Sequence, residues 1–320
     1  ARNMPPQLLK GRAAVREFQK HKKVVHAVAW NCNGTRLASG SVDSTAHVWT
    51  GIAEESGGKE SHIELSGHQD GVDQLCWDPQ HPDRLATASG DKTVRLWDAR
   101  TGRCTNVIET RGENINIAWS PDAAHIAVGN KDDDISIIDA RKGKLLKTTK
   151  FAYEVNEMSW NGDGSHLFFT TGMGTVEVLR YADFLRTTKA ESVRSLQGHT
   201  ANCYCIEFDP NGQYFAVGGA DALVGIWSLP EMVCERTLTR LEWPVRTISF
   251  SCDGKLLASA SEDAFIDVAD VETGEQVYAI SNRVAMNSIA WHPSQRLLAY
   301  AGDDKDRDEG IFRVFGFSTS

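Results

Sequence analysis

Three histidines, His21, His68 and His199, each stand nine residues ahead of an aromatic residue: Trp30, Trp77 and Phe208. An aspartate follows each at a matching distance (Asp43, Asp91, Asp221), and a tryptophan lies six residues past each aspartate (Trp49, Trp97, Trp227). In the first two sets a hydroxyl residue intervenes, Ser39 or Thr87; in the third Val217 takes that position. Histidine, hydroxyl and carboxylate are the parts of a nucleophilic triad, in which the imidazole accepts the hydroxyl proton. Repetition argues against that chemistry, because a hydrolytic centre needs one copy and these sets recur at one place in successive units. The structural reading is preferred.

Other reactive patterns fail on spacing. No Gly-x-Ser-x-Gly elbow or histidine-rich metal pattern occurs. Asp303–Gly310 (DDKDRDEG) resembles a calcium loop, yet counted from Asp304 the glycine falls at position seven and Phe315 stands at position twelve. Ser56-Gly57-Gly58-Lys59-Glu60 lacks the hydroxyl and the strand–helix setting of a phosphate loop. Asn33-Gly34-Thr35 matches a glycosylation sequon but reads as a hairpin turn. The sequence therefore nominates no catalytic, cofactor-binding or metal-ligating residue, and a non-enzyme is expected.

The elements that hold the repeated residues are clearest in Arg84–Arg100, RLATASGDKTVRLWDAR. It predicts one strand, a tight turn at Ser89–Lys92 and a second strand from Thr93 to Trp97, closed by Asp98. Aligning the aromatic upstream of this hairpin gives Trp30, Trp77, Trp119, Trp160, Phe208, Phe250 and Trp291, at intervals of 47, 42, 41, 48, 42 and 41 residues. Each is followed by a polar turn and a second apolar strand, such as LASGS, LATAS or FAVGG. Seven copies at this period, with strand signals every ~10 residues, predict a closed propeller.

The units resemble WD40 repeats along nearly the whole chain. The resemblance implies an all-β, seven-bladed WD40 propeller, and it implies that the histidine, hydroxyl, aspartate and tryptophan form a buried hydrogen-bond relay. His68, Thr87, Asp91 and Trp97 complete it, as do His21, Ser39, Asp43 and Trp49, with Lys20 replacing the usual glycine. His199, Asp221 and Trp227 lack the hydroxyl. Ile138, Leu179 and Ala269 stand at the tryptophan position in other units, whose blades should form with less stapling.

After Ile311–Phe315 too few residues remain for a last outer strand, while Val15–Phe18 precedes His21 as Ile63–Leu65 precedes His68. The last blade is therefore expected to be closed by the N-terminal strand. Residues 1–12 read as an N-terminal extension and 13–320 as a single propeller. Gly51–Ser61 reads as a mobile insertion and Arg180–Glu191 as a short helix or an ordered loop; Asp303–Gly310 reads as an extended turn.

The 34 Lys+Arg against 43 Asp+Glu give a net charge of −9, which disfavours broad nucleic-acid backbone binding as the main activity. Two local basic runs, Lys20–Lys23 and Arg141–Lys150, read first as solvated loops and second as contacts for RNA or an acidic partner. Seven scattered cysteines without a CxxC pair suit small buried thiols in a reducing compartment. No apolar run approaches membrane-spanning length.

Four residues ahead of each aromatic the innermost strand should begin at the channel mouth, at His26, Asp73, Ile115, Asn156, Tyr204, Arg246 and Asn287. Nearby loops are individual: GENIN (Gly112–Asn116), YEVNE (Tyr153–Glu157) and LEWPVR (Leu241–Arg246). Two readings stay open, a solvated channel and a partner-binding face built from His26, Asp73, Asn116, Asn156, Tyr204, Trp243, Arg246 and Asn287.

Within the WD40 class, VDQLCWDP (Val72–Pro79), GENINIAWSPD (Gly112–Asp122), EVNEMSWN (Glu154–Asn161), WPVRTISFS (Trp243–Ser251) and LASASEDAFID (Leu257–Asp267) resemble the THO complex subunit 3 family. That resemblance implies a nuclear, non-catalytic scaffold that binds large helical THO subunits within TREX. It further implies a monomeric propeller inside a hetero-oligomer, coupling transcription and mRNP assembly to mRNA export. No cofactor and no membrane contact are implied, and RNA contact would be indirect or weak. The alternative is a cullin-4 ubiquitin-ligase substrate receptor, from the WDxR sequence Trp97-Asp98-Ala99-Arg100.

Overall fold

The template hairpin forms where alternation and turn chemistry put it. In the computed structural model, which describes residues 12–53, 60–187, 191–303 and 310–318, Arg84–Ser89 pairs antiparallel with Thr93–Asp98, Leu85 opposite Trp97. Lys92 closes the turn with φ 65°, and Ser44 (68°) and Ala222 (62°) adopt the same left-handed conformation in their own turns. Inward-facing Leu85, Thr87, Val94 and Trp97 are buried, so the hairpin needs neighbours on both faces.

Those neighbours are supplied by repetition. The strands assemble into seven four-stranded antiparallel sheets. The innermost strands are Val25–Trp30, Val72–Trp77, Asn114–Trp119, Val155–Trp160, Cys203–Phe208, Thr247–Phe250 and Ala285–Trp291. Each touches the innermost strand of the next blade, and the last touches the first, closing the ring. We number the blades 1 to 7 in this order.

Apolar clusters lie between blades rather than within them. Trp77 of blade 2 packs with Val48 and Leu65 of blade 1, and Trp30 packs with Ala299 and Val314 of blade 7. The indoles also reach across: Trp77 Nε1 donates to the Ala29 carbonyl at 2.9 Å and Trp30 Nε1 to Ala290 at 3.2 Å. Each buried tryptophan or leucine contributes about 1.5–3 kcal/mol, which a single blade could not recover alone. Of the seven aligned aromatics Phe208 alone is only half-buried.

The N-terminal strand, Arg12–His21, pairs antiparallel with Gly310–Ser318 and becomes the outer strand of blade 7. Phe18 lies opposite Phe312 with ring centroids 4.9 Å apart, and Trp49 meets Phe312 edge-on at 5.0 Å. The clasp removes two open sheet edges.

The insertion after blade 4's third strand contains a helix, Tyr181–Arg186, which decides between the helix and loop readings. Buried Tyr181 lies edge-on to Trp160 at 4.2 Å and Phe184 packs near Phe151. In the Gly51–Ser61 insertion Ile52 is buried against blade 1, and residues 54–59 lie outside the described residues. Residues 1–11 and 304–309 also lie outside them, which covers the N-terminal extension but for Arg12 and most of the extended turn. The expectation of buried thiols holds for Cys203 and Cys205 but not for Cys32 and Cys234, which are exposed because one sits in a turn and the other on an outer strand.

Candidate functional site

In blade 1, His21 Nε2 lies 2.8 Å from Ser39 Oγ, Trp49 Nε1 donates to the same oxygen at 2.9 Å, and His21 Nδ1 lies 3.1 Å from Asp43. Blade 2 repeats this with His68 to Thr87 at 2.7 Å, Trp97 to Thr87 at 2.9 Å and His68 to Asp91 at 2.8 Å. An indole N–H can only donate, so the hydroxyl oxygen accepts it and its own proton goes to Nε2. Nδ1 then carries the hydrogen directed at the aspartate. Burial alone would raise Asp43, but bonds from His21, Thr45 and the Lys22 N–H outweigh it and hold the carboxyl well below its usual range. Burial lowers His68 despite the partnership with Asp91. The hydroxyl is buried and spent on two partners, which leaves nothing poised to attack a substrate.

Blade 5 shows what the hydroxyl does. His199 Nδ1 keeps its bond to Asp221 at 2.9 Å, but Val217 offers nothing to the other side. His199 Nε2 and Trp227 Nε1 are both buried without a partner.

Blade 6 has replaced the relay rather than lost it. Arg240 forks onto buried Asp267 through Nε at 2.9 Å and Nη2 at 2.8 Å, and also donates to the Gly274 carbonyl. Asp263 accepts the backbone N–H groups of Glu242 and Trp243, the service that Asp91 gives Gln69 in blade 2. This corrects the expectation of a weakly stapled blade there.

A cavity of about 350 Å³ occupies the central channel and is lined by His26, Asp73, Ile115, Asn116, Asn156, Tyr204, Arg246 and Asn287. Seven of the eight candidate partner-binding residues therefore meet. Trp243 does not line the cavity; it stands 53% exposed on the loop before blade 6, where its backbone is held by Asp263.

Much of the ring's polarity is spent between blades. Asn116 Nδ2 donates to the Asn156 carbonyl at 2.8 Å, Asn156 Nδ2 to Cys203 at 3.0 Å, and Asn287 Nδ2 to Val25 at 3.4 Å. His26 lies 3.2 Å from Asp73. Arg246 is paired with Glu262 at the rim. Tyr204 lines the cavity and the Trp243 side chain is 53% exposed, and these two are the candidate residues least committed to the fold.

Two channel carboxylates, Glu157 and Glu207, were not singled out by the sequence. Glu157 accepts from Gln74 Nε2 at 3.0 Å and from the Ile206 N–H at 2.9 Å. Burial pushes its carboxyl up to about 7 against those two bonds. Glu207 is pushed up to about 8 by burial, with the Glu157 charge adding to the rise and the Phe250 N–H opposing it. The available signal was a single acid within each innermost strand, VNEMSW (Val155–Trp160) and CYCIEF (Cys203–Phe208).

A propeller with this relay is shared by many proteins, so relatives decide the family. The chain matches the THOC3 beta-propeller domain family over residues 21–301. A THO complex subunit 3 from Arabidopsis thaliana is 58% identical over 309 residues, 95% of this chain and 96% of the relative. This chain belongs to the THO complex subunit 3 family. WD repeat-containing protein AAC3 from Dictyostelium discoideum is 34% identical over 95% of this chain and 67% of its own length. WD repeat-containing protein SL1-17 from Schistosoma mansoni is 26% identical over 81% and 70%.

In this THO-family propeller the WDxR sequence is partly structural. Trp97 and Ala99 are buried, and Arg100 is exposed with Asp98 at 3.7 Å. Of the two basic runs, Lys20–Lys23 borders the blade 1 relay, and Arg141–Lys150 forms the turn and outer strand of blade 3.

Proposed function

We propose that this chain is a non-catalytic scaffold subunit of a nuclear THO complex, acting within TREX to couple transcription and mRNP assembly to mRNA export. The observation that carries the reading is near-complete coverage in both directions by a THO complex subunit 3 at 58% identity. The relatives named only for their WD repeats align at 34% and 26% identity and over 67% and 70% of their own length. Chemistry supports the non-catalytic reading at the one triad-like pattern: the hydroxyls of the sets in blades 1 and 2 are buried and bonded within the fold.

The partner face is the channel mouth together with the loop bearing Trp243. An exposed tryptophan beside an arginine offers a large anchor with a polar edge, the residue types that dominate interface energetics. The test is co-expression with the large helical THO subunits. A stable complex on size exclusion, weakened by Trp243→Ala or Arg246→Glu, is the expected result. Complete separation from those subunits would refute the scaffold role, and full assembly by both variants would move the interface to another face.

A further inference from the structure

Side-chain N–H groups along the central channel are largely committed to its wall, and acceptors are left over. Asn156 and Asn287 donate Nδ2 to the Cys203 and Val25 carbonyls, and their Oδ1 atoms accept no bond among the described residues. Asn116, 3% exposed on the same lining, donates in the same way, and its Oδ1 is buried without a partner. Gln74 Nε2 is held by Glu157, and Arg246 is paired with Glu262, which is not part of the lining. Asp73, Glu157 and Glu207 bring three carboxylates to a cavity that holds one arginine.

Two of those carboxylates stand where other blades use neutral groups. Along the channel a side chain of one blade accepts an N–H of the next: Thr247 takes Ile289, Ser288 takes Val28 and Gln74 takes Ile117. Glu157 fills the same place for Ile206. Glu207 accepts the Phe250 N–H, as the Ser249 hydroxyl accepts that of Trp291 one blade on. A hydroxyl or an amide therefore suffices, and burial disfavours the ionised form of both acids, so the fold requires neither charge. The Gln74–Glu157 bond joins blades 2 and 4, which are not neighbours in the ring, and so carries the Glu157 carboxylate into the lumen.

We infer that the channel receives an arginine side chain from a partner protein, its guanidinium donating to Glu157, Asp73 and the free amide oxygens of Asn156 and Asn287. A guanidinium has five N–H donors and no acceptor, and it gives up water more readily than an ammonium, which suits an acceptor-rich cavity. A phosphate brings only acceptors and negative charge. A metal ion is disfavoured too, since no three histidine, cysteine, aspartate or glutamate side chains among the described residues group so as to hold one. At about 350 Å³ the cavity falls within the ~300–1,000 Å³ of ligand sites. The inference rests on the reading of the channel mouth as the partner face and adds which side chain enters it.

The test is isothermal titration of the full chain with a capped alanine pentapeptide carrying arginine at its centre, against the same peptide carrying citrulline, the neutral isostere. Saturable binding of the arginine peptide, about tenfold or more tighter than that of the citrulline peptide, is the expected result. Glu157→Gln and Asp73→Asn, which keep the size of the side chain and an acceptor oxygen, should each weaken it about tenfold. Glu231→Gln, on an exposed turn of blade 5, removes one charge elsewhere and should leave it unchanged. Glu157, raised to about 7 by burial, attracts a guanidinium only when ionised, so affinity should rise about tenfold or more from pH 6 to pH 8. Glu207 acts in the same direction, and His26, Asp73, Tyr204, Cys205 and Arg246 also face the cavity, so Glu157→Gln isolates the share due to Glu157. No saturable binding, equal binding of the citrulline peptide, or indifference to both channel substitutions would overturn the inference and leave the scaffold role standing. Peptide binding by a chain unable to join the large helical subunits would instead refute that role and keep the channel's preference.

Discussion

Val217→Thr should stabilise this protein, although it places a hydroxyl in a fully buried site. Val217 is 0% exposed and sits where Ser39 and Thr87 sit in blades 1 and 2. A threonine there meets His199 Nε2 and Trp227 Nε1, both buried and unpartnered. By the blade 2 geometry its oxygen accepts from the indole and its proton goes to the imidazole, at 2.9 Å and 2.7 Å. Two hydrogen bonds at about 1 kcal/mol each, less about 1 kcal/mol for desolvating the hydroxyl and losing a methyl, leave a net gain of about 1 kcal/mol. In a domain this large that raises Tm by roughly 2–4 °C. Thr87→Val is the reverse experiment. It strands His68 Nε2 and Trp97 Nε1 and should cost about 2–3 kcal/mol. Urea unfolding followed by circular dichroism reads both, and Trp227→Phe in the Val217→Thr background should remove part of the gain. If both substitutions shift stability in the same direction, the hydroxyl is not the hub of the relay.

Three further outcomes follow from the buried groups. His47, lowered to about 3 from 6.5 by burial and then by neighbouring His21 and His62, stays neutral in the fold while the unfolded chain takes up a proton. Stability should therefore fall as pH drops from 6.5 toward 3, and His47→Phe should flatten urea-unfolding stability over that window by up to about 1.4 kcal/mol per pH unit. Glu207 has the opposite sign: with its carboxyl raised to about 8 from 4.5, its contribution is complete below 4.5 and is lost as pH rises through 8. Glu207→Gln should then stabilise at pH 9 relative to pH 5 in the same assay, and equal effects at both would refute the burial argument. Asp267→Ala, which leaves the Arg240 guanidinium facing an empty partner site, should cost about 3 kcal/mol in thermal unfolding, well above the cost of removing a surface ion pair.

The fold was legible because its signals are local and repeated. Alternating apolar residues, a turn after each aromatic and the matching positions of Phe18, Leu65 and Leu196 ahead of their histidines fix blade number and closure without knowledge of neighbours. The channel ring was legible as a set of positions but not in its use. Asn116 and Asn156 look free in sequence because their partners, backbone carbonyls of the next blade, are 40 and 47 residues away. The Arg240–Asp267 fork, 27 residues apart, was hidden because, among the described residues, the repeats give no second copy of it. Trp243, read as part of the entry loop before Arg246, stays off the cavity lining, and the backbone N–H groups of Glu242 and Trp243 are held by Asp263, a contact 20 residues away in sequence.

The claim on which the rest depends is membership of a THO assembly. The direct measurement is affinity purification of the tagged full-length protein from nuclear extract, with the mass and composition of the eluted particle determined. The account predicts a high-mass particle in which the propeller accompanies the large helical THO subunits in fixed ratio. Recovery as a free propeller, or bound chiefly to a cullin-4 ligase adaptor through Arg100, would contradict it.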